Sequence, residues 1–352
     1  MIHRWIAGIT RFVIIFTATG VAHIPRTQAF SCTNLDLEKR PMTTEQLPES
    51  SADTPLYRSG VVAIVGPPNA GKSTLLNRLL GQKIAIVSPR PQTTRNRILG
   101  IVNGPSYQMI MLDTPGLHRA REVMNREMVR IAMESLAEAD VVLFLADGAA
   151  LDDRRFEKRA PEYKEYLQAV RCPALLAVNK IDLLDRKQLL PVIDRFSRLH
   201  PFAGVVPLSA LTGEGVDVLL AELAAKLPPG PQYYPDDIPT DASERFIVAE
   251  LIREKIFLLT REEVPYSTAV LIDDFKEGAQ GKPVVIHATI LVERGSQKGI
   301  IIGRGGTMLG KIRQEAAREI AAMLGCRVRL QLWVKVKKKW TSNSGILREL
   351  GL

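Results

Sequence analysis

Between residues 60 and 227, short apolar or β-branched runs alternate with stretches whose apolar positions recur at helical spacing. The short runs predict strands at 61–65, 106–112, 141–146, 174–178 and 205–208. The other stretches predict one helix after the first strand and its loop, and further helices at 123–137, 161–170, 189–199 and 216–226. Because this alternation is typical of a mostly parallel sheet covered on both faces, we expect an α/β domain whose ligand binds at the carboxyl ends of the strands.

A proline-rich segment follows this pattern and predicts a semi-rigid linker. Beyond it the pattern predicts helices at 243–259 and 307–323, strands at 268–273 and 284–292, and a last strand at 327–337 in which apolar and polar residues alternate. These elements predict a second, smaller α+β domain. The predicted organisation is a leader at 1–55, the α/β domain at 56–227, the linker at 228–240 and the second domain at 241–352.

The first 55 residues do not have the pattern of a folded domain. No acidic residue precedes Asp36, several arginines supply positive charge, and the apolar part is too short for a membrane span. One interpretation of this composition is a targeting peptide. The alternative is that translation begins at Met42 and that the preceding residues are an artefact of start assignment. Residues 43–54 then predict a flexible segment before the first domain.

The formal net charge of +9 is not spread evenly along the chain. From Arg294 to the end there are 13 Lys and Arg against three acidic residues, so the rest of the chain is close to neutral. This basic region predicts a surface for nucleic acid or for an anionic membrane. The three cysteines are far apart, so their spacing suggests neither a disulfide framework nor a zinc site, and a reducing compartment fits best.

The first predicted strand ends in a glycine-rich loop, GPPNAGKS at 66–73, directly before an amphipathic helix. This spacing is typical of a phosphate-binding loop. Its glycines let the backbone curl around phosphate oxygens, Lys72 reaches the terminal phosphates, and the Ser73 hydroxyl binds Mg²⁺. The loop residues expected to contact a nucleotide are Gly66, Asn69, Ala70, Gly71, Lys72, Ser73 and Thr74.

Three further motifs follow later strands and indicate which base is bound. Asp113 begins Asp-Thr-Pro-Gly, in which the carboxylate supports Mg²⁺ through water and Gly116 offers its amide to the terminal phosphate. Asp182 ends Asn-Lys-Ile-Asp, and its carboxylate accepts two hydrogen bonds that guanine donates and adenine does not. The motifs therefore predict a site for GTP and GDP. The predicted base pocket consists of Asn179, Lys180, Asp182 and the backbone amides of Ser209, Ala210 and Leu211.

A polar, proline-containing stretch lies between the first two motifs, at 88–97. We interpret it as a switch that orders when Thr94, or its neighbour Thr93, binds Mg²⁺ beside the terminal phosphate; the alternative is a plain surface loop. Leu117 stands where many GTPases carry a water-orienting Gln, so slow intrinsic hydrolysis is expected. A K⁺ ion held by Asn69 could compensate. The predicted catalytic residues are Lys72, Asn69, Thr94 and Gly116, and the predicted metal ligands are Ser73, Thr94 and Asp113.

In the basic region, Gly-Arg-Gly-Gly at 303–306 joins two predicted helical segments and resembles the loop with which KH domains clamp single-stranded RNA. The alternative is an ordinary turn at a helix end in a domain whose charges are merely solvated. The predicted RNA-binding residues are Lys298, Gly303, Arg304, Gly305, Gly306, Lys311 and Arg313.

Taken together, the motifs resemble the Era-type ribosome-assembly GTPases of bacteria over roughly residues 56–351. The matching stretches are 66–74, 83–97, 113–117, 179–182, 253–255, 264–266, 291–294 and 332–337. The resemblance implies a P-loop GTPase domain followed by a type II KH domain. It also implies a GTP-driven switch that binds the 3′ end of small-subunit ribosomal RNA during late assembly of that subunit.

The same resemblance implies a cytoplasmic monomer that hydrolyses GTP and attaches peripherally to the inner membrane. Residues 1–55 depart from the family and leave open an imported, organellar form. Two other functions are open at this point. One is an RNA chaperone that scarcely hydrolyses GTP, and the other is a membrane-associated GTPase that uses its basic face on anionic lipid.

Overall fold

The structure, a computed structural model, describes residues 56–88, 90, 93–117, 123–150, 153–278 and 282–351. These residues belong to one compact unit. The interpretations of the leader as a targeting peptide or a start-site artefact concern residues outside the described ones. No helix in the part described is long and apolar enough to cross a membrane.

The first sheet has six strands in the order β2-β3-β1-β4-β5-β6, all parallel except β2, which is antiparallel to β3. The predicted mostly parallel sheet is confirmed, but the expectation of five strands is wrong, because β2 was not predicted. Its short run contains two glycines and follows a polar loop. The strands are β1 (Arg58–Val65), β2 (Ile98–Gly104), β3 (Tyr107–Asp113), β4 (Val141–Asp147), β5 (Ala174–Asn179) and β6 (Gly204–Pro207).

Helices cover both faces of this sheet. Alternate residues of β1 point to opposite faces, so Val62 and Ile64 join one apolar cluster with Leu75, whereas Ala63 and Val65 join another. The second cluster includes residues of three helices, which are α2, α3 and α4. The helices are α1 (Lys72–Leu80), α2 (Val123–Glu138), α3 (Asp153–Gln168), α4 (Arg186–Ser197) and α5 (Val216–Lys226).

Two helix starts differ from the prediction. Helix α3 begins at Asp153 rather than at 161, because Pro161 lies inside the helix and does not open it. Helix α4 begins at Arg186 rather than at 189, where Asp185 and Gln188 form a capping box. In both cases a polar first turn carried no apolar periodicity that could reveal it.

The proline-rich segment predicted as a linker is tied to the first sheet by hydrogen bonds. Gly230 N donates to Tyr57 O (3.1 Å), and Ile101 N donates to Pro239 O (2.8 Å). The Thr240 hydroxyl donates to Leu99 O (2.5 Å). The segment therefore has fixed points at both ends, although the domain boundaries placed around it stay a prediction.

The second sheet has the order β7-β8-β9, with β8 antiparallel to β7 and parallel to β9. Its inner face packs against α6 and α8 through alternate residues such as Ile286, Ala288 and Leu330, so the predicted alternation in the last strand is confirmed. The elements are α6 (Glu244–Leu259), β7 (Thr268–Lys276), β8 (Val284–Val292), α7 (Gly295–Ile302), α8 (Thr307–Leu324), β9 (Val328–Val336) and α9 (Ser344–Glu349).

The end of the chain returns to the first domain. Ile346 and Leu347 of α9 pack with the fully buried Trp340 against Met124 and Met128 of α2. Helix α9 was not predicted, because its six residues are too few to show a helical period. We call this apolar group the tail cluster.

Candidate functional site

The glycine-rich loop leaves the carboxyl end of β1 and leads into α1, as its sequence predicts. Gly66 has a φ of 149°, and a Cβ there would lie 2.2 Å from the carbonyl oxygen of Leu145. Gly71 has a φ of 97°, and a Cβ there would lie 2.3 Å from Asn179 Nδ2. Both positions therefore require glycine, for backbone conformation and for space. The loop lines a cavity of about 400 Å³.

Lys72 is buried beneath this loop. Its Nζ donates to the carbonyl oxygens of Pro67 (3.1 Å) and Gly66 (3.3 Å). Burial lowers the pKa of Lys72 to about 8, although the charge of Asp113 opposes that shift. Burial likewise raises the pKa of Asp113 to about 6, against the opposing influence of Lys72 and of the Ser73 and Thr94 hydroxyls. A lysine held here carries its charge at neutral pH and suits an anionic ligand.

The three predicted metal ligands meet at one point, although they come from α1, the 88–97 stretch and β3. Ser73 Oγ lies 2.6 Å from Asp113 Oδ2 and 2.8 Å from Thr94 Oγ1. The other carboxylate oxygen of Asp113 is buried and has no hydrogen-bond partner among the described residues. Hydroxyl and carboxylate oxygens are the ligands that Mg²⁺ prefers, so the residues present fit that ion.

Gly116 lies against the glycine-rich loop, where a Cβ would come within 2.9 Å of the Pro68 backbone. The amide of Leu117 donates to Gly66 O (3.1 Å), and the Leu117 side chain is buried in the second apolar cluster. The Leu117 side chain therefore faces the core, in agreement with the expectation that it cannot position an attacking water.

Asn179 forms hydrogen bonds both with the glycine-rich loop and with the segment 209–211, which is predicted to contact the base. Its Nδ2 donates to Ala70 O (2.7 Å), and its Oδ1 accepts from Ala210 N (2.8 Å). The next residue, Lys180, has a φ of 66° and forms an ion pair with Asp147 (2.7 Å). Asp182 is exposed, in the short 3₁₀ helix that follows.

The segment 209–211 lies beside Asn179, but its amides are largely engaged within the protein. Ser209 N donates to Glu214 O (2.9 Å), and Ala210 N donates to Asn179. Leu211 is 69% exposed, and its carbonyl accepts from Arg78. A role for these amides toward a base stays a prediction.

Two residues of this site were missed in the sequence. Asp147 ends β4 beside the cavity and pairs with Lys180, and the rule that ligands gather at strand ends could have found it. Arg78 holds the segment 209–211 from α1, through Ala210 O (3.2 Å). No local signal in the sequence distinguishes it from other helix-surface arginines.

The middle of the predicted switch is buried, so a plain surface loop is wrong for residues 93–95. The Thr94 hydroxyl lies beside Ser73 and Asp113, whereas its neighbours face the second domain. Arg95 is 5% exposed and donates to the carbonyl oxygens of Thr268 (2.7 Å) and Tyr266 (2.8 Å) at the start of β7. From the other side, the guanidinium of Arg253 on α6 donates to Thr93 O.

A set of ion pairs continues this contact between the two domains. Lys83 Nζ lies 2.6 Å from Glu254 and 3.0 Å from Glu319, and Lys255 pairs with the same two carboxylates. Glu254 also accepts from the amide of Val87 (3.0 Å). Glu254 and Lys255 are buried, whereas Lys83 and Glu319 are partly exposed. A buried charge left without its partner is costly, so these pairs favour one register between the two surfaces.

The Gly-Arg-Gly-Gly loop forms a tight turn between α7 and α8. Three of its residues have positive φ, namely Gly303 (73°), Gly305 (55°) and Gly306 (81°). Arg304 is exposed in the turn, and Lys298 is half-buried on α7. Lys311 and Arg313 are both exposed but flank the buried stripe of α8 on opposite sides, about 200° apart around the helix. The structure therefore does not bring all the predicted RNA-binding residues to one face.

Sequence profiles of known families match the GTPase domain and the second domain separately. The profile described as "50S ribosome-binding GTPase" matches residues 61–180, and the profile of the KH domain matches residues 263–341. The glycine-rich loop and the motifs at the later strand ends, joined to that second fold, define a P-loop GTPase with a C-terminal KH domain.

Curated relatives identify the family. GTPase Era of Geotalea uraniireducens is 51% identical over 84% of this chain and 98% of its own, and that of Geobacter sp. strain M21 is 52% identical over the same shares. The chain belongs to the Era family of GTPases.

Two solved structures have the same fold at 42% identity, over 84% of this chain and 99% of theirs. One is a variant of Aquifex aeolicus Era bound to GDP.AlF4⁻, with a TM-score of 0.78. The other is Era in complex with MgGDPNP and nucleotides 1506–1542 of 16S ribosomal RNA, with a TM-score of 0.79. The fold class expected from the sequence, a GTPase domain followed by a KH domain, is confirmed.

Proposed function

We propose that this chain is a GTP-driven switch that binds the 3′ end of small-subunit ribosomal RNA and assists assembly of the small ribosomal subunit. The Era structure that contains nucleotides 1506–1542 of 16S ribosomal RNA supports this RNA as the partner. The position of residues 93–95 between the metal ligands and the second domain supports a switch.

Each side chain of the nucleotide site has a separate task in hydrolysis. Lys72 stabilises the charge on the terminal phosphates, Gly116 offers its amide to the last of them, and Asp182 selects guanine. Ser73, Thr94 and Asp113 would hold Mg²⁺, which neutralises phosphate charge when it is bound. Because Leu117 is buried, no side chain at that position orients water, and we expect slow turnover unless RNA or a cation assists.

Thr94 connects the site to RNA binding through its neighbours. When Thr94 binds the metal beside the terminal phosphate, the carbonyl of Thr93 and the side chain of Arg95 are held in place for the second domain. After hydrolysis this support is lost, and the contacts with Arg253 and the start of β7 weaken together. The nucleotide state thereby sets how firmly the KH domain is held against the GTPase domain.

A pair of glycine variants tests the RNA partner. Gly305→Asp places a carboxylate in the loop that clamps RNA phosphates, so we expect the affinity for a ribosomal 3′-end RNA to fall about tenfold or more. Gly325→Asp is the matched control, since Gly325 also has a positive φ (64°) and, like Gly305, open space around it. RNA binding is measured by filter retention with a non-hydrolysable GTP analogue. Equal affinities for the two variants would contradict RNA binding at this loop.

Potassium dependence tests the proposed role of Asn69. We expect GTP turnover to be about tenfold faster in KCl than in NaCl of equal ionic strength, because a K⁺ held by Asn69 adds positive charge at the phosphates. Asn69 has a φ of 65°, which glycine adopts readily, so Asn69→Gly removes the side chain and tolerates the same backbone conformation. That variant should lose the preference for KCl. Equal turnover of the wild type in both salts rules this role out.

A further inference from the structure

The outer face of the second sheet carries an aromatic side chain that the fold does not use. Trp333 on β9 is 49% exposed and pairs in register with Thr289 of β8, away from the helices that cover the inner face. The ring of His287 lies beside it, with ring centroids 5.4 Å apart. We call the six residues on this part of the sheet the outer patch; they are His287, Thr289, Arg329, Gln331, Trp333 and Lys335.

The outer patch is the solvent-exposed part of the outer face of the second sheet. The rest of that face is covered by the tail cluster. Leu291 and Ala269 point to the same side of the sheet but are buried in the tail cluster, beneath α2. The protein therefore covers the apolar end of this face and leaves the end that carries Trp333 and cations in solvent.

Positive charge is concentrated around Trp333. Both Arg329 and Lys335 lie on the same face of β9 as Trp333. Lys335 is two residues away, about 7 Å along the strand, and Arg329 is four residues away in the other direction, about 13 Å. Three more exposed lysines, at 337–339, follow directly on the chain. Within the part of the chain that the structure describes, none of these five cations forms an ion pair. Two carboxylates lie nearby: Asp274 is paired with Lys276 (2.8 Å), and Asp273 accepts from the Thr289 hydroxyl (2.7 Å).

We propose that the outer patch binds unpaired RNA, as a second contact separate from the glycine-rich loop between α7 and α8. A base stacks on Trp333, Arg329 and Lys335 bind the flanking phosphates, and Gln331 offers hydrogen bonds to a base edge. An aromatic side chain among cations on an open sheet is the arrangement by which proteins hold single strands. This proposal rests on the proposed function, because it extends the same RNA along a second surface.

A lipid surface fits the outer patch less well. Insertion into a membrane interface requires a continuous apolar area around the aromatic ring. Here the neighbours of Trp333 on the face are polar or charged, and the aliphatic Leu291 is covered by the tail cluster. The chemistry of the patch therefore favours stacking on a base.

The affinity test uses the full chain and a ribosomal 3′-end RNA. Trp333→Ala should weaken binding about 5- to 100-fold, whereas Trp333→Phe, which still stacks, should stay within about threefold of the wild type. Leu258→Ala is the matched control, because Leu258 is also an exposed apolar residue of this domain (46%) and lies on α6. Lys335→Gln should lower the slope of log affinity against log salt by about 0.7.

Tryptophan fluorescence gives an independent measurement. In a Trp5→Phe background the remaining tryptophans are Trp333 and the fully buried Trp340, so only Trp333 can be quenched by a stacked base. RNA should quench the emission, and Trp333→Phe should abolish the quenching. Unchanged RNA affinity in Trp333→Ala, with no quenching in the parent, would overturn the proposal.

The loop variant separates failure of this proposal from failure of the proposed function. If Gly305→Asp weakens RNA binding but Trp333→Ala does not, the second contact is wrong and the function stands. If neither variant changes RNA affinity, the proposed RNA function fails as well. If Trp333→Ala instead releases the protein from phosphatidylglycerol vesicles while RNA affinity is unchanged, the outer patch binds lipid and the proposal is overturned.

Discussion

Replacing Asp182 with Asn removes the preference of this protein for guanine. The carboxylate accepts two hydrogen bonds, from the ring N–H and the exocyclic amine of guanine, whereas an amide accepts one and turns a donor toward the other. Because a mismatched polar pair in a binding site costs several kcal/mol, we expect GTP affinity to fall on the order of 10³- to 10⁴-fold. Affinity is measured by titration with a fluorescent GTP analogue.

The same variant should gain affinity for xanthosine triphosphate. Xanthine carries an oxygen where guanine has the exocyclic amine, so the new amide can donate to it and restore two hydrogen bonds. Asp194→Asn on α4 is the matched control, since Asp194 is exposed and, among the described residues, forms its ion pair with Arg198, directly after the helix. A variant at 182 that still prefers GTP would show that another group selects the base.

Gly66→Ala is expected to destabilise the GTPase domain by about 3 kcal/mol or more and to abolish nucleotide binding. The new methyl would lie 2.2 Å from the carbonyl oxygen of Leu145, a backbone atom of β4 that cannot move aside. Displacement of the loop would also disturb two hydrogen bonds to Gly66 O, from Lys72 Nζ and from the amide of Leu117. Urea unfolding without nucleotide measures the loss of stability.

Gly81→Ala is the matched control for that substitution. Gly81 ends α1 with a φ of 65°, but nothing lies within 4 Å of the added methyl. Only the backbone strain remains, so we expect a loss of about 1 kcal/mol and unchanged nucleotide affinity. If both variants lost similar stability, crowding against Leu145 would not be the reason that position 66 requires glycine.

Much of the nucleotide site could be predicted, because each motif is local and follows a buried strand. Strand β2, which was not predicted, shows the limit of that reasoning. Gly100 interrupts its apolar run and suggests a turn, whereas in the structure a Cβ there would lie 2.7 Å from Leu76 of α1. The glycine makes room for a helix that is distant in sequence, and no local pattern reports such a contact.

Contacts between the two domains were beyond sequence reasoning for the same reason. The segment at 88–97 is polar, and polarity alone favours exposure. Arg95 is nevertheless buried, because the carbonyl oxygens of the turn before β7 satisfy its guanidinium. Whether a charged side chain is buried depends on partners that only the folded chain supplies.

The tail cluster has a consequence for synthesis of the chain. Helix α2 belongs to the domain that leaves the ribosome first, yet Met124 and Met128 are covered by Trp340, Ile346 and Leu347. Until residues 340–347 have been synthesised, that methionine-bearing surface is not covered by them. During that interval the nascent GTPase domain exposes an apolar surface to chaperones or to other unfinished chains.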